Sequence, residues 1–443
     1  MTTLHMLSDA GPVGVIAATL DGPRITYDET WPGRPDAFAI SLTMPLTQAA
    51  WSADVATPWL MNLLPEGQPL SALARALGLA REDVFALIAA SGRDLAGALT
   101  FEAAAGQASY TAIPSADALE RIINELPARP FLVGEEGVAM SLAGAQDKLP
   151  VGLVDESLAI PVNGAPSTHI LKPDNPRLPG SVHNEALCMV LARRCGLPAA
   201  PVTTGIAGKR TYLLVTRYDR AERDGRVERI HQEDFCQALG RRPIEKYERN
   251  GTGVRGPGLA DMFALVRRHM TARDITRLLD AVIFNIAIGN VDSHAKNYSI
   301  LLHPGRAELA PLYDLMSGLA WSNITANHAQ EVGGQRTGRH ILARHWRRMA
   351  EEAGLSGSAT VRRVRALTDR ILAELPAAAQ EVAAMPAGAG GLLDVFSEAI
   401  AARTRTVGLN AQRQDAVDDD AAAADAPADE DTADMAASSR YDP

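Results

Sequence analysis

Apolar residues follow two rhythms along this chain. From residue 131 to about 219 they come in short runs, LPVGLV, THILK and TYLLVTRY, bounded by Gly, Pro and Asn, a pattern that predicts strands. One segment among them, VHNEALCMVLARRC, instead places Leu187, Val190 and Leu191 on one helical face, with Gly196 and Pro198 as its stop. From residue 231 the helical rhythm dominates. HQEDFCQALG, LADMFALVRRHM and RDITRLLDAVIFNIAIG predict helices. The last carries Ile275, Leu278, Leu279, Val282, Ile283 and Ile286 as a buried stripe that stops at Gly289-Asn290. A hairpin follows, with strands over 298–302 and 309–313 about His303-Pro304-Gly305, and then helices around 359–384 and 390–406. Residues 1–130 mix short apolar runs with turn residues. PLSALARALGLAREDVFALIAASG reads as one or two helices, and Pro127 and Pro130 mark a boundary.

These rhythms divide the chain into an N-terminal part, 1–130, a strand-rich part, 131–222, and a helical part, 223–410. The remainder, 411–443, is Ala and Asp with almost no large apolar residue, and is predicted to be a disordered acidic tail. A strand-rich part with one embedded helix, followed by a helical part with one embedded hairpin, predicts an α+β fold of two lobes with a cleft between them.

Composition changes the picture in three places. The net charge of −10 resides in the tail: residues 414–443 hold ten acids and one base, which leaves 43 acids against 42 bases in residues 1–413. The body is therefore nearly neutral, which argues against a uniformly basic nucleic-acid binder. Cys188, Cys195 and Cys236 lack ligand spacing and are odd in number, as expected of reduced thiols in a cytoplasm. No apolar run approaches a membrane span, and MTTLHMLSDA is not a secretory signal. Finally, only five of the 43 basic residues are lysines: Lys148, Lys172, Lys209, Lys246 and Lys296. A lysine in so arginine-biased a chain is expected where a compact ammonium is needed, as against a phosphate.

Two glycine motifs mislead. Gly251-Thr-Gly253-Val-Arg-Gly256 follows polar YERN instead of a strand and reads as a loop, and Gly92-Arg-Asp-Leu-Ala-Gly97 has Ala98 where a Walker motif needs lysine. The informative stretch is GNVDSHAKNYSILL. Asp292 and Asn297 are spaced as D-x-x-x-x-N in a polar loop between a buried helix and a strand. Phosphoryl transfer uses that spacing for a carboxylate that orients the attacking hydroxyl and an oxygen ligand for Mg²⁺. The hairpin brings a second carboxylate, Asp314, beside Asn297. Upstream, Lys172 ends a strand ahead of a helix bearing Glu185, the order in which kinases place a phosphate-contacting lysine and its partner. SLAGAQDKLP, with small residues around Gly144 and the charge of Lys148, suits a phosphate loop. Taken singly, these are a helix cap, a polar turn and a surface lysine. Taken in order, they describe a kinase.

The chain resembles the HipA family of serine/threonine kinase toxins. The likeness runs in order through SGRDLAGAL, SLAGAQDK, THILKPD, NEALCMVLARRCGLP, TRYDR, QEDFCQALG, GPGLADMF, NVDSHAKN and PLYDLMSG. It implies a protein-kinase-like fold using ATP and Mg²⁺. It implies Asp292 as catalytic base, Asn297 and Asp314 as metal ligands, and Lys172 as the nucleotide lysine with Glu185 as its possible partner. Ala143, Gly144, Ala145, Gln146, Asp147 and Lys148 become the phosphate loop. Thr216, Arg217 and Tyr218 become the hinge that reads adenine through its backbone, and Gln232 and His294 contact ribose or phosphate. Ser141 becomes an autophosphorylation site. The implied partners are a HipB-like helix-turn-helix antitoxin, operator DNA reached only through it, and a protein substrate such as an aminoacyl-tRNA ligase. Two other readings stay open on the residues alone: a kinase of a lipid or small-molecule hydroxyl, and an inactive kinase-fold scaffold in a repressor complex.

Overall fold

The computed structural model describes residues 2–102 and 106–413. The N-terminal module is an antiparallel sheet in the order Ala50–Trp51, Gly22–Tyr27, Gly11–Thr19, Thr3–Ser8, Thr100–Phe101, covered by helices Ala53–Met61, Gly67–Leu77 and Val84–Ser91. Trp31, Trp59 and Phe101 are fully buried in its core. The segment expected to form one or two helices forms two, Gly67–Leu77 and Val84–Ser91; helix Ala53–Met61 and the sheet were not predicted. Its alternation is broken by Gly11, Pro12, Gly14, Gly22 and Pro23, which blur the period of two on which a strand is recognised.

A second, six-stranded sheet runs Val202–Ala207, Arg210–Thr216, His169–Pro173, Leu149–Val154, Ser157–Val162, Ser109–Ala112, every neighbour antiparallel. Its last strand lies before the boundary read at Pro127 and Pro130. So does helix Ala116–Glu125, whose Leu119 and Ile123 pack with Leu149 and Val151 under this sheet. The chain therefore changes layers nearer 106 than 130. A small hairpin, Arg220–Arg223 with Arg226–Arg229, straddles the boundary read at 222.

Helix Ser181–Arg194 lies between this sheet and the helical part. Every residue from Ser181 to Ala192 is buried, not one face alone, because strands flank it on one side and helix Gly357–Ala383 on the other. The helical part comprises Leu259–His269, Ala272–Ile288, Ala343–Glu352, Gly357–Ala383 and Leu392–Asn410. Ala272–Ile288 starts from a Thr271/Asp274 capping box and ends at Gly289, whose φ of 72° is open to glycine at little cost. Ala411, which had been placed in the tail, is buried behind the last helix, whereas 414–443 lie outside the described residues.

Two elements differ from expectation. HQED forms a strand, Gln232–Asp234, and only Phe235–Ala238 is helical, because the strand pairs with Ser299–His303. The hairpin partner is Arg306–Leu309, with Ile300 opposite Leu309. The tight turn at Pro304-Gly305 starts the return strand three residues early, and Pro311, lacking an N–H, keeps the ladder from extending. Leu312 bonds instead to Pro198 and Ala200, at 2.8 and 2.9 Å, and so ties the segment leading to Asp314 to the strand-rich lobe.

Candidate active site

A cavity of about 400 Å³ opens between the two lobes. It is lined by Ala143, Gly144, Ala145, Gln146, Lys148, Lys172, Glu185, Thr216, Arg217, Tyr218, Gln232, Asp292, His294, Asn297 and Asp314. Residues separated by up to 171 positions thus share one wall system. Two expected residues are not on it. Asp147 faces outside the lining, and Ser141 is fully buried, its hydroxyl without a partner among the described residues.

At the centre, the Lys172 ammonium donates to Glu185 Oε1 at 2.7 Å and to Asp314 Oδ1 at 2.6 Å. Burial works against that ammonium, but the two carboxylates outweigh it and hold Lys172 above its ordinary pKa. Burial likewise opposes the Asp314 carboxylate, yet Lys172 and Lys148 hold it well below the usual range. Glu185, deeper, is raised by burial despite Lys172. Asp314 has a φ of 56°, a left-handed conformation in which Asp is among the few tolerated side chains.

The loop 141–150, expected to hold phosphate, is shaped by its glycine. Gly144 has a φ of 111°, and a Cβ there would lie 2.5 Å from the Lys148 ammonium. That space lets Lys148 fold back and donate to Ala143 O at 2.7 Å. Enclosure, with Lys172 nearby, lowers the Lys148 pKa to about 8. The loop is strung on the N-terminal module at both ends. Arg93 N donates to Ala139 O at 3.0 Å and Ser141 N to Asp94 O at 3.1 Å, while Glu66 N donates to Gly144 O at 3.1 Å.

Asp292 is exposed at the cleft, on the loop that follows Gly289. Confinement by the cleft walls raises its carboxyl, against Lys246 and a hydrogen bond from Tyr247 that lower it. Asn297 Nδ2 donates to Asp292 O at 2.7 Å, which leaves the Asn297 amide oxygen free to ligate. Asp314, engaged with Lys172 through one oxygen, retains the other. This oxygen pair fits a hard divalent cation that keeps most of its shell as water and phosphate. His294 is held neutral by burial, and its buried Nδ1 has no partner among the described residues.

At the opposite end, Tyr218 stacks on Tyr313 with ring centroids 5.6 Å apart, and its hydroxyl donates to Gln232 Oε1. The N–H groups of Thr216 and Arg217 are already bonded to Pro201 and Thr168 carbonyls, both at 2.9 Å. The Arg217 guanidinium points away from the cavity to Asp219, Ser167 and Leu95 O.

The sequence reading missed Tyr313, Asn62, Glu66, Lys246 and Lys296, all of which line the cavity. Lys296 bonds Asp234 at 2.7 Å and Asn62 Oδ1 at 2.6 Å. Four of the five lysines lie on this cavity, so the arginine bias was the signal that could have found Lys246 and Lys296. Nothing comparable marked Asn62 or Glu66, which reach the site from the N-terminal module.

Comparison with known proteins agrees with this arrangement. The domain family described as HipA-like C-terminal domain matches residues 140–379, and HipA N-terminal domain matches 4–102. A Sinorhizobium fredii protein named "Putative kinase Y4mE" is 41% identical over 355 residues, covering 77% of this chain and 83% of its own. The serine/threonine-protein kinase toxin HipA of Shewanella oneidensis is 34% identical over 316 residues, 68% of this chain and 71% of that one. A solved complex of Shewanella oneidensis MR-1 HipA, HipB and operator DNA aligns with a TM-score of 0.81 at 26% identity, covering 93% of this chain and all of its counterpart.

Proposed function

Since this chain belongs to the HipA family, we propose that it is an ATP-dependent serine/threonine protein kinase and the toxin of a toxin–antitoxin pair. The observation that carries the reading is the Lys172 ammonium shared between Glu185 and Asp314, in the same cleft as Asp292 and Asn297. Lys172 and Lys148 would meet the ATP phosphates, with backbone N–H groups about Gly144 beside them. Asp314 and Asn297 would hold Mg²⁺, which supplies charge neutralisation on the phosphates. Asp292 orients the acceptor hydroxyl and takes its proton. Tyr218, Tyr313 and the hinge carbonyls enclose the base, and Gln232 and His294 face ribose and phosphate.

The proposed partner is a HipB-like antitoxin, since the solved relative is complexed with HipB and operator DNA. A translation protein such as an aminoacyl-tRNA ligase is the proposed acceptor. Autophosphorylation at Ser141 is part of the proposal. Its hydroxyl is buried and its backbone N–H is held by the Asp94 carbonyl, so modification requires residues 139–144 to leave the N-terminal module first.

Incubation with labelled Mg-ATP and cell lysate, followed by phosphosite mapping, tests the reading. Label on protein serine or threonine is expected, with a loss of roughly 10²–10⁴-fold in Asp292→Asn. Label confined to lipid or small molecules would redirect the acceptor assignment, and wild-type transfer by Asp292→Asn would end the kinase assignment of that loop.

A further inference from the structure

Asp292 stands exposed on a loop, where an aspartate free of contacts would sample several rotamers. Here its Oδ1 accepts a hydrogen bond from the Tyr247 hydroxyl. No other side chain among the described residues hydrogen bonds to that carboxylate, so Oδ2 is open to an incoming hydroxyl.

Tyr247 is itself held from several directions. Its ring meets His294 edge to face, with centroids 5.1 Å apart and planes at 87°. The carbonyl of Lys246 accepts from Ala295 N at 3.1 Å, which pins the 246–247 backbone to the loop that carries Asp292. The Lys246 ammonium pairs with Glu66 Oε2 at 2.7 Å and lies 5.7 Å from the Tyr247 ring centroid. Glu66 N bonds in turn to Gly144 O. A continuous line of contacts therefore runs from the phosphate loop, through the N-terminal module, to the acceptor-side carboxylate. Packing needs only the ring of Tyr247; the hydroxyl serves Asp292.

We propose that Tyr247 is a positioning residue for phosphoryl transfer: by occupying Oδ1 it turns Oδ2 toward the acceptor. The inference rests on the kinase reading of Asp292. As the acceptor oxygen bonds to the γ-phosphorus, its proton passes to Oδ2, and the bond from that phosphorus to the bridging oxygen breaks to release ADP.

The test uses the full chain and Mg-ATP alone, with water as acceptor under single-turnover conditions. Tyr247→Phe should turn over about tenfold or more slowly, because misorientation of a reacting group costs rate before it costs binding. Its Mg-ATP affinity by calorimetry and its melting temperature should match wild type, since one oxygen is removed from a half-buried ring. In an Asp292→Asn background, Tyr247→Phe should cause no further loss, as expected of two residues acting as one unit. A wild-type rate for Tyr247→Phe overturns the proposal. So does an equal fold-loss in both backgrounds, or a loss of affinity at unchanged rate. The two readings fail separately: an Asp292→Asn variant at wild-type rate removes the kinase reading, whereas an inactive Asp292→Asn beside a fully active Tyr247→Phe removes only the role of Tyr247.

Discussion

Asp314 carries two demands at one residue. Its carboxylate grips Lys172, and its backbone sits at a φ of 56°, a conformation that costs a residue with a Cβ roughly 1–2 kcal/mol. The two demands separate by substitution. Asp314→Gly relieves the backbone, whereas Asp314→Ala keeps the strain, and both lose the carboxylate. Lys172 retains Glu185 in either case, so neither variant strands a buried charge. The glycine variant is expected to melt higher than the alanine variant, by the few degrees that about 1 kcal/mol represents. Both should lose Mg²⁺-dependent ATP binding in calorimetry. A glycine variant that bound Mg-ATP normally would remove Asp314 from the proposed ligand set.

Among elements, the segment that follows strand Arg210–Thr216 and the N-terminal module are locked by a buried charge network. Asp219 accepts from Arg217 at 2.9 and 2.7 Å and from Gly97 N at 2.8 Å, and lies 3.0 Å from Arg220, which also reaches Asp94 at 3.0 Å. All four side chains are at most 5% exposed. Asp219→Ala would leave two buried guanidiniums short of a partner, and a loss of about 3–5 kcal/mol is expected in denaturant titrations. A loss under 1 kcal/mol would mean that water enters and replaces the carboxylate. This clamp was not legible in the sequence, because its two halves, 94–97 and 217–220, lie more than 120 positions apart and no spacing rule links them. What was legible was local: the stripe of Ala272–Ile288, its glycine stop, the D-x-x-x-x-N loop after it, and the strand-end Lys172. The hairpin shows the limit. Its existence followed from the turn residues, but its register depended on how tight the turn is and on where Pro311 removes a donor.

At the scale of the whole molecule, Glu233 couples stability to pH. It is fully buried between the N-terminal module and the central hairpin, accepting from Ser41 Oγ at 2.5 Å and Leu42 N at 2.8 Å. Burial pushes its carboxyl from 4.5 up to about 8, against the two hydrogen bonds. Below pH 4.5 both folded and unfolded chains hold the proton. Between 4.5 and about 8 only the folded chain does, so folding takes up a proton and this site's contribution falls as pH rises, levelling above 8. The slope is at most about 1.4 kcal/mol per pH unit. Glu233→Gln, which cannot ionise, should flatten stability between pH 5 and 8. An unchanged pH profile would show that the carboxyl is already ionised at pH 5.

The tethering of the proposed phosphate loop also bears on the order of synthesis. A ribosome delivers Glu66 and Asp94 well before Gly144, and Gly144 well before Asp292 and Asp314. The early sheet pairs only neighbouring strands apart from its short edge strand at Thr100–Phe101, so it forms from local contacts as the chain emerges. It then stands as a template on which the loop settles while both acidic groups are still unmade. A chain released early would hold a shaped loop at 141–148 with neither Asp292 nor Asp314 present, and so would lack both carboxylates that the proposed transfer needs.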